Sequence, residues 1–390
     1  MISFEEAYHT TLSQAVLMPD EQVGLNDSLD RILAEDIFSD TDMPPFNKAA
    51  VDGYACRIAD IHHELEVAET IRAGKVPVKK IARNQCSRIM TGAMLPEGSD
   101  CVIMVEDTEV SGENHIRFRP DTSAKNICYQ GEDIKAGQKV LIAGTRIAPQ
   151  HIAVLASVGS VRPKVYCKVP LGIISTGDEL VEPGLRPGKS QIRDSNAAQL
   201  MAQAVKAGGK PTWYGIGLDD PDDLFMKLST ALRENKIVIL TGGVSMGDFD
   251  YVPDVMEKLG IEILFKSIAI QPGRPTVFGK TAEKFIFGLP GNPVSSFVLF
   301  EILVRDFMSA MMGLQENKQG LRLMTGQEFT RKNTSRKGMI PVMIKGSEVF
   351  PIEYHGSAHI NAYTSANGII AMESGQSKLE KGAWVDVRQV

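Results

Sequence analysis

Four short loops hold most of the residues with which this chain could do chemistry. They are STGDE (175–179), GLDD (217–220), TGGVSMGDFD (241–250) and GLPGNP (288–293). Glycines such as Gly177, Gly242 and Gly243 can take positive φ and let a ligand come close to the backbone. Successive amides in such turns, here Gly242, Gly243, Val244 and Ser245, can cradle an anion. Asp219, Asp248 and Asp250 are hard oxygen donors of the kind that hold magnesium, and equally the kind that cap helices. Asn292 with Pro293 reads as an N-cap followed by N1, so the helix that starts there turns its unpaired N–H groups towards the same place. Together they suit a phosphorylated, nucleotide-bearing ligand held by amides and neutralised by Mg²⁺. No GxSxG elbow and no Cys beside a His points to a nucleophile. His355 and His359 have i,i+4 spacing, but Gly356 and a β-rich setting work against a helical metal pair. Taken singly, each loop is equally a plain strand-to-helix joint; their number at one sheet edge is the signal.

The elements that must position these loops begin at Val169. LGIIST (171–176), TWYGIGL (212–218), IVIL (237–240) and IEILF (261–265) read as strands. Between them lie helical stretches: Ser195–Ala207, capped by Ser195 or Asn196, then Pro221–Glu234 and Val252–Leu259, with a long apolar helix from Val294 to Met312. Strands alternating with helices of this length imply right-handed βαβ units, a mostly parallel doubly wound sheet, and ligands at its carboxyl edge.

The flanks read differently. Ser3–Glu6 fits a capping box, a second short helix is expected about Leu29–Ala34, and Ala148–Val158 returns to helix with Pro149 at N1. From the Pro44-Pro45 break to about Arg119 the runs are short and β-like. The last seventy or so residues are again short-stranded, as in a small closed or sandwich β unit. The expected division is 1–43 with 137–168, an inserted 44–136, a central 169–317 and a terminal 318–390.

At 390 residues, 43% hydrophobic, the chain has material for several cores. A net charge of −6 without a basic block argues against nucleic acid. No apolar run reaches the roughly 18 residues of a membrane span. An acidic start, MISFEEAYHT, is unlike a targeting peptide, and five scattered cysteines without CxxC read as reduced, buried thiols of a cytoplasmic protein.

The longer motifs carry a resemblance. MPPFNKAAVDGYA (43–55), TGAMLPEGSDCVIMVEDT (91–108), STGDEL (175–180), GKSQIRDSN (188–196), GLDDP (217–221), TGGVSMGDFDYV (241–252), QPGRP (271–275) and GLPGNPVS (288–295) follow one another in order. In these the chain resembles the molybdopterin molybdenumtransferases, the MoeA and gephyrin E-domain family, over nearly its whole length. The resemblance implies a helical dimerising domain, an inserted β domain, a molybdopterin-binding α/β domain and a C-terminal β barrel. It implies insertion of molybdate into adenylylated molybdopterin, with Mg²⁺-dependent loss of AMP. By resemblance the functional positions are Asp52, Thr91, Glu179, Asp219, Asp250, Pro290 and Pro293, in a cleft across a homodimer interface. Asp219 and Asp250 would hold the metal, Asp52 and Glu179 would orient water or protonate released groups, and Ser175, Thr176, Asp178, Ser195, Asp248, Lys266, Arg274 and Asn292 would bind substrate. A molybdopterin adenylyltransferase and molybdoenzyme maturation factors are the implied partners. Ala49, Val51, Ala197 and Gln271 depart from the family pattern, the last two by loss of a basic residue. A tungstate-specific form, or a paralogue that binds cofactor as a scaffold without making it, is the alternative.

Overall fold

The computed structural model describes residues 1–244, 251–315, 320–352 and 359–390. At its centre is a six-stranded sheet in the order 210–217, 170–176, 237–241, 285–289, 277–280, 262–265. The first four strands pair in parallel, and 277–280 runs antiparallel to both of its neighbours, 285–289 and 262–265. Side chains alternate between the faces, as the pleat requires. Ile237 and Ile239 point into one core and Val238 and Leu240 into the other. Helix α3 (Ser195–Lys206) and the run α6 (Pro293–Leu299) to α7 (Arg305–Met311) cover the first face. Helices α4 (Pro221–Glu234) and α5 (Val252–Lys258) cover the second. Both faces are buried, hence the unbroken apolar strands.

The long apolar helix expected from Val294 is continuous only in outline. Residues Phe300–Val304 form a π-helical stretch between α6 and α7, with Glu301 buried inside it. The first core is centred on Phe278, whose ring meets those of Phe265, Phe285, Phe287 and Phe307 at 4.7–6.5 Å. Phe278→Ala is expected to cost the central unit about 3–5 kcal/mol, the range for truncating a fully buried aromatic, read as a lowered unfolding midpoint.

The inserted unit is a second six-stranded sheet, residues 101–104, 53–56, 85–89, 64–71, 115–118 and 108–112 in order. Cys86, Cys56 and Cys101 lie in register on three neighbouring strands of it. The Cys101 thiol contact and burial push Cys56 up, and burial pushes Cys86 up to about 12. Such thiols are inert. Cys128 and Cys167 are only half-buried, so the expectation of five buried thiols holds for three.

The N-terminal unit is less helical than expected. It contains α1 (Phe4–Leu12), with Ser3 Oγ accepting from Glu6 N at 3.0 Å, and α2 (Pro149–Ser157), beside short two-stranded ladders. The helix expected about Leu29–Ala34 does not form. Asp30 sits at φ 62, which interrupts any helix. The backbone amides of Leu33 and Ala34 bond instead to Thr145 O and Lys164 O, contacts more than a hundred residues away that no local pattern announces.

Strands 337–345, 348–351, 321–325, 384–389 and 368–372 form the C-terminal sheet, and pairing of the first with the last closes it into a five-stranded barrel. The short strand Ile270–Gln271, contributed by the central unit, adds to the barrel in parallel beside Lys337–Gly338.

Candidate active site

In the central sheet the chain leaves strand 170–176 for one neighbour, 210–217, and returns to the other, 237–241. Ligands of open α/β sheets bind at such a switch point, outside the carboxyl strand ends. Here lies a cleft of about 680 Å³, walled by Thr176, Gly177 and Glu179 after the first strand, Asp219 after the second, and Gly242, Gly243 and Val244 after the third. Pro290, Asn292 and Pro293 close it at the start of α6, and Ser195 contributes from α3.

The loops are bonded to one another. Gly242 N donates to Leu289 O at 3.0 Å and Gly177 N to Gly217 O at 3.2 Å. Thr176 Oγ1 donates to Thr241 O at 3.4 Å. Gly242 stands at φ 97, and a Cβ there would lie 2.4 Å from Thr176 O. Only glycine permits that approach, which brings the first and third loops together. The amides of Gly243, Val244, Gly291 and Asn292 have no hydrogen-bond partner among the described residues. Four donors in one wall are thus left open to the cleft.

The acids divide their roles. Asp220 caps α4, accepting from Asp222 N at 3.0 Å and Asp223 N at 2.8 Å. Asp223 accepts from Leu218 N at 2.9 Å and pairs with Lys227 at 2.7 Å. Asp219 is left to the cleft. Its amide donates to Asp178 Oδ1 at 3.1 Å, and Asp178 N donates to Asp219 Oδ2 at 3.4 Å. This reciprocal pair locks the first loop against the second, and no basic side chain among the described residues neutralises Asp219.

Several residues of this wall carried no sequence signal of their own. The helix α3 is capped by Asp194, accepting from Ala197 N at 3.0 Å, rather than by Ser195 or Asn196. Asn196 instead donates through Nδ2 to Thr241 Oγ1 and to Gly291 O, both at 2.8 Å, tying α3 to the loops at 241 and 291. Asp194 Oδ2 and Asn196 Oδ1 are buried without a partner. For Asp194 the available clue was an Asx residue just before the two predicted caps, Ser195 and Asn196. Ile360, from the C-terminal unit, also lines the cleft.

Other expected site residues lie elsewhere. Ser175 is fully buried below the cleft. Lys266 is outside the lining, paired with Glu257 at 3.0 Å. Arg274 is exposed, next to the lining Pro275. The basic residue expected in place of Ala197 would have to enter a core, since Ala197 lies on the buried face of α3. Asn292 holds the N-cap position of α6 without a side-chain cap bond. Ser245, Asp248, Asp250 and His355 fall outside the described residues.

Asp52 and Thr91 form a unit of their own on the inserted sheet. Asp52 Oδ1 accepts from Thr91 N at 2.6 Å and from Thr91 Oγ1 at 2.7 Å. The Thr91 amide first, then its hydroxyl and the charge of Arg88, hold the Asp52 carboxyl below its usual range. Asp52 therefore stays ionised until the pH falls through that lowered value. In Thr91→Val the amide remains but the hydroxyl is lost, so the Asp52 titration should move part of the way back up, as followed by NMR. Neither residue lines the cleft of its own chain.

Comparison with known proteins agrees with this architecture. Profiles of the MoeA N-terminal region (domain I and II), of a probable molybdopterin binding domain, and of the MoeA C-terminal region (domain IV) match residues 2–159, 172–310 and 327–390. A molybdopterin molybdenumtransferase of Staphylococcus epidermidis is 36% identical over 99% of this chain and 95% of its own. One from Bacillus subtilis is 36% identical over 94% of this chain and 89% of its own. The crystal structure of the molybdopterin biosynthesis MoeA protein of Pyrococcus horikoshii superposes with a TM-score of 0.86, at 29% identity and full coverage of both chains. On its three matched regions and its near-full-length relatives, this chain belongs to the MoeA family of molybdopterin molybdenumtransferases.

Proposed function

We propose that the chain inserts molybdate into adenylylated molybdopterin and releases AMP, yielding molybdenum cofactor. It is an enzyme of molybdenum cofactor biosynthesis, and the scaffold alternative is not favoured. The observation that carries the finer reading is the un-neutralised carboxylate of Asp219 facing unpartnered amides across one cleft. The amides of Gly243 and Val244, with those of Gly291 and Asn292, suit phosphate and pterin oxygens. The oxygen donors of Asp219, kept in place by Asp178, suit a magnesium ion, with Asp250 as the second expected ligand. The chemistry magnesium supplies there is charge neutralisation at the pyrophosphate. Glu179 at the cleft rim is placed to orient water or to give a proton to a released group.

Asp52 and Thr91 reach a cleft, in this reading, from the inserted sheet of a second copy. The working enzyme is then a homodimer in which the partner subunit's Asp52 faces this chain's Asp219. An adenylyltransferase would supply the substrate and maturation factors of molybdoenzymes would take the product, in the cytoplasm. No described helix is long and apolar enough to cross a membrane.

The test is turnover of adenylylated molybdopterin with Mg²⁺ and low molybdate or tungstate. AMP release that depends on the oxyanion is expected. Tight pterin binding with no AMP release under either oxyanion would sink the reading, and preference for tungstate would assign the tungstate-specific form.

A further inference from the structure

Among the described residues that line the cleft, Arg193 is the only cation, in a wall that also holds the carboxylates of Glu179, Asp194 and Asp219. Lys266 and Arg274, the residues expected to bring positive charge, lie outside that lining. The chemistry of the cleft therefore turns on what Arg193 does with its guanidinium.

A small ladder holds its backbone. Leu180–Val181 and Ile192–Arg193 pair in parallel. Ile192 N donates to Glu179 O and Asp194 N to Val181 O, both at 2.8 Å. Arg193 is thus fixed between the loop that carries Glu179 and the residue that caps α3. Residues 182–191 form an exposed arm between the two strands, and Arg193 Nε donates to Leu185 O in that arm at 3.0 Å. The bond leaves the terminal nitrogens of the guanidinium, which have no partner among the described residues; nor does Arg193 enter an ion pair there. A guanidinium tied at Nε, with its terminal nitrogens open, is oriented but still able to grip a tetrahedral oxyanion through parallel hydrogen bonds.

Resting on the reaction proposed above, we propose that Arg193 is a substrate-binding residue whose terminal nitrogens hold a tetrahedral oxyanion, either a phosphoryl group of the pyrophosphate or the incoming molybdate. Both are anionic, and the carboxylates of this wall repel them unless a cation stands between. A metal ion at Asp219 serves one side of the cleft. Arg193 supplies the positive charge on the side of Glu179 and α3, where no other described lining residue can.

Titration calorimetry on the full chain with Mg²⁺ tests this without turnover. ADP stands for the adenylyl pyrophosphate half of the substrate, and molybdate for the free oxyanion. Arg193→Gln should weaken one of the two about 10–100-fold, the usual loss when a hydrogen bond to a charged group is removed. The ligand that weakens identifies the oxyanion held. Arg193→Lys keeps the charge but not the fork, so it should recover part of the loss. Arg186→Gln, on the same exposed arm but outside the lining, should bind both ligands like wild type. Melting temperatures should agree throughout, since Arg193 is exposed and α3 is capped by Asp194. In turnover, Arg193→Gln should raise KM for the affected substrate more than it lowers kcat. No binding of either ligand by wild type, equal affinities in wild type and Arg193→Gln, or equal weakening by Arg186→Gln would overturn the assignment, even in an enzyme that releases AMP. Binding that depends on Arg193 in a protein that releases no AMP would support the oxyanion contact and sink the proposed reaction instead.

Discussion

Asp219→Ala is expected to lower AMP release about 10²–10³-fold, the usual loss when one preorganised charge-stabilising group is removed from a site. The substitution should leave the fold intact. Among the described residues Asp219 is neither a cap nor an ion-pair partner: Asp220 caps α4 and Asp223 pairs with Lys227. Its side chain accepts, among the described residues, only the long 3.4 Å bond from Asp178 N. Pterin binding, which the proposed function gives to backbone amides on the other loops, should weaken far less than kcat falls. Asp220→Ala is the informative comparison. It removes two cap bonds and should cost about 1 kcal/mol of stability, with little change in turnover at low temperature. Equal losses of turnover in the two variants, or a fall in the melting temperature with Asp219→Ala alone, would show that the loop is merely structural.

Asp52→Ala and Asp219→Ala, each inactive alone, should restore activity when mixed as subunits. If a cleft is completed by the inserted sheet of the other copy, a mixed dimer has one doubly damaged site and one intact site. Random pairing makes half the dimers mixed, so roughly a quarter of wild-type activity should return, a consequence of two-fold symmetry alone. Tagged coexpression and purification of the mixed species should raise this to about one half. Each parent protein prepared alone sets the baseline. No recovery in a verified mixed dimer would mean that Asp52 serves its own chain's cleft or none.

The central sheet was legible because its strands are buried on both faces and its helices are long enough for the period to show; α4 begins and ends where Pro221 and Glu234 suggest. The loops at 176, 219, 242 and 291 were legible as glycines and acids at strand ends. Closure of the barrel was not, because pairing of residues 338–342 with 368–372 is a long-range event that alternation leaves open. Nor was the fate of Leu33 and Ala34, whose amides are satisfied by segments far along the chain. Asp194, Ser195 and Asn196 were all plausible caps; which one caps and which bridges to Thr241 and Gly291 depends on a strand and a loop that the local sequence does not contain. Lys266 has charge suited to an oxyanion, but Glu257, on the helix just before it, is a nearer partner.

The loan of Ile270–Gln271 to the barrel bears on how this protein could be cut, swapped or inherited. Residues 318–390 look in sequence like a detachable tail. Removing them would strip the neighbour from a strand that belongs to the central unit, leaving an open edge four residues before Pro275 of the cleft. The tail, expressed by itself, would lack that strand while keeping its ring. The two therefore have one boundary in the chain and another in space. Recombination that exchanges the barrel between relatives must carry residues 270–271 with it, or choose a donor whose first strand accepts them.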